Sequence, residues 1–190
     1  MQNLTIQDLK LKEIIHYLSY LSGGNPRKLG KVRLNKILWF FEGIIYIKTG
    51  KKPIGIKFIK KKYGPVSPNV DKALVELENA RKLKVYNEDG NWIIKAVDIP
   101  KINYLSTEEI ELLSNLYNTI SSFGAKTAST ITHTKYWGML DQGDEMNPIF
   151  VLETLAKIRK PKEDELEEIV HLRELYDKNE IVDEIKKQLI

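Results

Sequence analysis

The sequence predicts a mainly α fold of the α+β kind: a helical bundle with a small β-hairpin or short sheet and a winged-helix-like element. Three observations predict it. Apolar residues recur at three- and four-residue steps over most of the 190-residue chain. Thr5 with Asp8, and Ser106 with Glu109, have the spacing of capping boxes. Asp89-Gly90 separates two short apolar-polar runs, LKVYN and NWIIK, as a tight hairpin turn would.

The first helix spans 5–21, with Ile6, Leu9, Ile14, Tyr17, Leu18 and Leu21 at helical spacing, and Gly23-Gly24-Asn25-Pro26 stops it. The second runs from about Lys31 to Lys48. Its apolar residues from Leu34 to Tyr46 cover nearly every face, which belongs in the middle of a bundle. Gly43 lets a neighbour pass close and Gly50 supplies the stop. Residues 54–63 alternate apolar with basic side chains and read as a short strand or extended edge. Tyr63-Gly64-Pro65-Val66-Ser67-Pro68 then turns the chain. Ser67 caps a third helix over 67–82, with Pro68 at its first position, where a missing N–H costs nothing. The 83–96 hairpin follows. Helical periodicity resumes at Ser106 and Phe123-Gly124 breaks it. A short helix over 125–132 leads through Thr132-His133-Thr134 and Trp137 into a polar loop, and 149–159 is helical again. The organisation expected is one domain over 1–160 and a charged helical extension over 161–190, packed on or beside it, with 10 acidic against 5 basic residues.

Composition excludes several classes. With 42% apolar and 29% charged residues the chain can build a core and is not of disordered type. No cysteine is present, so disulfides, thiolate nucleophiles and Cys-based zinc sites are out of reach. No membrane partner is expected, because the most apolar run, Ile37 to Ile47, is too short to span and carries Glu42. A cytoplasmic protein is the reading. The net charge of +4 hides an asymmetry: residues 1–62 hold 14 basic against 3 acidic side chains, and the remainder 16 against 23. A basic first third fits an anionic partner, protein or nucleic acid, and equally fits lysines that only face water.

The sequence offers no catalytic, cofactor-binding or metal-binding residues. No phosphate-cradling glycine pattern occurs, and His16, His133 and His171 stand apart from one another. His133, between two threonines and ahead of Trp137, is the one histidine in a polar-aromatic setting. It reads as a hydrogen-bonded strut or, in an alternative, as the base of a hydrolase. A second alternative is a winged-helix-like DNA-binding regulator, since a helix over 67–82 followed by the hairpin is the order a wing requires. The acidic residues on that helix disfavour docking on phosphate.

Taken in order, RLNKILWFFEGIIYIKTGKKPIGIKFIKKKYGPV resembles the core motif of the Panacea, or SocA-like, antitoxin domain family. There a helix with a K-L-x-K-L-aromatic pattern leads to a G-K-P turn, an apolar-basic strand and Y-G-P-V. TASTITHTKYW, Thr127 to Trp137, is similar to the family's second signature, a small-residue helix ending in T-H with a nearby Trp. The similarity spans about residues 10–157. Asn35 and Ile37 depart from the first motif, and Lys135-Tyr136 stand where a proline is more usual. The resemblance implies an α-rich domain with a small β element and a place in bacterial or phage-associated toxin–antitoxin pairs. Its members neutralise a toxin by binding it, and some are adaptors that deliver it to an ATP-dependent protease. The partner implied is a cognate toxin protein, with nucleic acid a weaker expectation and a homo-oligomer left open. No cofactor or catalytic residue carries over. Lys36, Tyr63, Gly64, Pro65, Val66, Thr132, His133 and Trp137 fall on family-motif positions and are the candidate partner-binding residues.

Overall fold

The computed structural model describes residues 5–159; the extension over 161–190 lies outside the described residues. Within them the order is α1 (Ile6–Ser22), α2 (Lys31–Thr49), β1 (Phe58–Lys61), β2 (Gly64–Val66), α3 (Pro68–Asn79), β3 (Leu83–Glu88), β4 (Asn91–Ala96), α4 (Thr107–Ser122), α5 (Ala125–Thr130), α6 (Lys135–Met139), β5 (Glu145–Met146), a 3-10 turn (Pro148–Phe150) and α7 (Val151–Arg159). The mainly α, α+β class predicted from periodicity is the class observed. Both capping boxes form, Thr5 with Asp8 and Ser106 with Glu109.

Helix α2 is the centre of the bundle and packs against α4, α5, α7, β2 and the 3-10 turn. Leu34, Ile37, Leu38, Trp39, Phe40 and Phe41 are all essentially inaccessible, and the Trp39 ring meets Phe58 edge-on at 5.2 Å. Gly43 is required there, because a Cβ would overlap the Pro148 carbonyl and the Val151 side chain. On the other side α1 packs on α3, α4 and β4.

Two antiparallel sheets complete the fold. One has the order β2-β1-β5, with Ile59 opposite Val66, Lys61 opposite Gly64, and Phe58 opposite Met146. Its edges are a strand containing Pro65, which has no N–H to offer, and a strand of two residues. The other is the β3–β4 hairpin, with Glu88 opposite Asn91 across the two-residue turn. Asp89 (φ 50°) and Gly90 (φ 77°) both take positive φ, the requirement of a type I′ turn.

Several expectations are corrected. The strand predicted over 54–63 shrinks to Phe58–Lys61, because Gly55 takes φ 60° and the Ile54 N–H turns inward to the Glu42 carboxylate. The third helix ends at Asn79 rather than 82. Arg81 adopts φ 58°, and the Lys82 N–H returns to the Leu77 carbonyl while the Arg81 N–H returns to that of Glu78, a Schellman closure without glycine. The segment through Trp137, given no element, contains α6, and the polar loop after it contains β5. Part of the basic first third meets acidic side chains from the rest of the chain, Lys10 with Glu109, Lys12 with Glu76, Lys31 with Asp71 and Lys57 with Glu145, while Lys61 and Lys62 stay exposed.

Candidate functional site

Helix α2 is not apolar all round. Asn35, Lys36 and Glu42 are buried on it, and each ties down a loop that lies far away in sequence. Asn35 Nδ2 donates to the Lys31 carbonyl one turn back, and its Oδ1 accepts the Ser67 N–H at 2.8 Å. Asn35 therefore seats the start of α3. Glu42 Oε2 accepts the Ile54 N–H at 3.0 Å. Burial outweighs these hydrogen bonds and raises the Glu42 carboxyl to about 7.

Lys36 is wholly inaccessible. Its Nζ donates to the Tyr63 carbonyl at 2.7 Å and to Thr132 Oγ1 at 2.8 Å, and it joins no ion pair among the described residues. Burial alone pushes its ammonium down to about 7. Gly64 completes the joint. It has φ 107°, and a Cβ there would overlap both Lys36 Nζ and Thr132 Oγ1. Four candidate residues from three distant segments (36, 63–64 and 132) thus form one contact. Pro65 follows, buried, and Val66 pairs with Ile59. Lys62 and Tyr63 are the two-residue turn that joins β1 to β2, so the YGPV stretch closes a hairpin before it turns the chain into α3.

Beside this joint the His133 ring lies flat on Trp137, centroids 3.9 Å apart and 12° from parallel. Lys60 Nζ stands 4.1 Å from the centroid of the same indole and donates to the Leu140 carbonyl. Lys60 is buried, unlike the two lysines that follow it. Lys61 and Lys62 are exposed, and Tyr63 keeps 51% of its surface open. The candidate residues therefore divide by access. Lys36, Gly64, Pro65 and Thr132 are buried, Val66, His133 and Trp137 are partly covered, and Tyr63 is open.

Thr132 is 2% exposed and its hydroxyl is already engaged by Lys36, so it does not face a substrate. Among the described residues no three His, Asp or Glu side chains gather as a metal site would require. No helix among them is long and apolar enough to cross a membrane.

Sequence reasoning missed Asn35 and Glu42. The available signal was a polar residue inside an otherwise apolar helix, which needs a partner wherever it is buried.

The sequence model of the family described as "Antitoxin SocA-like, Panacea domain" matches residues 34–138, a span that holds every candidate residue from Lys36 to Trp137. No curated protein and no solved structure is similar enough to add to that match.

Proposed function

Because the chain belongs to the family of SocA-like antitoxins with a Panacea domain, we propose that it neutralises a cognate toxin in the cytoplasm by binding it directly. The observation that carries this reading is the joint of Lys36, Tyr63, Gly64 and Thr132. The signature residues spend their polar atoms on one another and hold an exposed aromatic tip in place. An enzyme keeps a nucleophile and a base in reach of substrate. Here the two hydroxyls beside His133 in sequence are both engaged, that of Thr132 by Lys36 and that of Thr134 by the Trp137 N–H. A preorganised tip fits recognition better, since a rigid anchor loses little entropy when it docks. Delivery of the bound toxin to an ATP-dependent protease belongs to the same proposal. It is read as a shorter toxin lifetime in cells that hold both this chain and the protease.

The test is co-expression with the neighbouring reading frame. That product arrests growth alone, growth returns with this chain, and the two copurify. A harmless neighbour, or arrest that persists beside abundant folded chain with no complex recovered, sinks the proposal.

A further inference from the structure

We infer that the β1–β2 tip, Lys61-Lys62-Tyr63, is the anchor of the protein interface and docks on an acidic segment of its partner. The inference rests on the binding reading above and supplies the chemistry of the contact.

Rigidity comes first. The Tyr63 carbonyl is held from beneath by Lys36 Nζ, Gly64 packs so closely on Lys36 and Thr132 that a Cβ would overlap both, and Pro65 fixes the next φ. The tip is thus clamped at its backbone while the Tyr63 ring stays half open to solvent. Burying an ammonium without a carboxylate is a poor way to gain stability, and an apolar side chain of similar volume would fill the same space. What the ammonium adds is a fixed position for one carbonyl, and therefore for the residue that bears it.

Charge comes second. Lys10, Lys12, Lys31, Lys57 and Lys82 all meet carboxylates. Lys61 and Lys62, like the exposed Lys51 and Lys101, have no acidic partner among the described residues; what sets them apart is their place on the clamped tip, with Lys62 Nζ 5.5 Å from the Tyr63 ring centroid. A tyrosine preceded by two exposed cations is an amphipathic anchor with steering charges beside it, which selects an acidic surface carrying an apolar or aromatic seat.

The sheet argues against two other modes. Its open edges are a proline-bearing strand and a two-residue strand, so a partner strand finds little to pair with. A phosphate backbone needs a continuous cationic track. Glu145 stands opposite Ile59 on the far side of β1, preceded by Asp144, so the positive surface ends within one strand's width.

The experiment uses the full chain and the toxic neighbour's product as the probe. Affinity is measured for wild type, for K61E/K62E, for Tyr63→Ala and for the control K51E/K101E, which makes the same charge change at exposed sites elsewhere. Wild-type affinity falls with added salt. K61E/K62E and Tyr63→Ala each weaken binding about tenfold or more with unchanged melting temperature, and the control stays within about twofold. Tip variants that bind as wild type does overturn the inference. So does an equal loss in the control, which would reduce the effect to net charge. Loss of binding to promoter DNA with the protein complex intact would make nucleic acid the occupant and overturn it as well. If wild type itself does not bind the probe, the toxin-binding reading falls first.

Discussion

The Nζ of Lys36 stands 2.7 Å from the carbonyl oxygen of Tyr63, joining the second turn of the central helix to the tip of a hairpin 27 residues later. Burial holds this ammonium near 7 against 10.5 for a free lysine. Between those values the unfolded chain binds the additional proton, so the contribution of Lys36 to stability rises with pH from about 7 to 10.5. Denaturant unfolding of wild type and Lys36→Met across that window reads the effect. The stability of the variant relative to wild type falls as pH rises, and parallel profiles would contradict the assignment.

Glu42 behaves in the opposite sense. Its carboxyl is raised from 4.5 to about 7, so the folded chain holds the extra proton in that window and the contribution of Glu42 falls as pH rises through it. Glu42→Gln keeps an oxygen for the Ile54 N–H and cannot ionise. At pH 8 it stabilises the fold by about 1–2 kcal/mol, and at pH 4.5 the advantage disappears. Chemical denaturation at the two pH values decides it.

Gly64→Ala tests the joint sterically. The variant must hold alanine at φ 107° and place a methyl group where Lys36 Nζ and Thr132 Oγ1 now sit. A loss of about 2–4 kcal/mol follows, measured by thermal or denaturant unfolding. Gly90→Ala also meets a positive φ but open space, so it loses less.

Glu13 is a further buried carboxylate with a positional task. Its two oxygens accept the N–H groups of Asn103, Tyr104 and Leu105 at 2.7–3.1 Å, just ahead of the cap of α4. Glu13→Ala leaves three donors without their acceptor and costs about 1–3 kcal/mol. Faster amide exchange at 103–105 than at the Asp89-Gly90 turn, relative to wild type, identifies the cause.

What was legible in the sequence was local. Capping boxes act over three residues, the Asp89-Gly90 turn over four, and Gly43 betrayed a close approach because glycine is rare inside an apolar helix. The candidate residues could be named from motif order, yet their division into buried and open members could not. Lys36 meets Thr132 across 96 positions and Asn35 meets Ser67 across 32. Periodicity carries no information about such pairs. Helix α6 was missed because five residues hold too little pattern to register, although Thr134 does cap it by accepting the Trp137 N–H. The β5 pairing was missed because a strand of two residues depends on β1 for its existence.

The termination of the β2-β1-β5 sheet bears on self-association. Chains with long unpaired edges template their own copies at high concentration. A proline on one flank and a two-residue strand on the other withhold that template. Strand-on-strand stacking of copies finds little purchase at this sheet and would have to begin at the β3–β4 hairpin, whose six-residue strands each keep an outer edge that no other strand covers among the described residues.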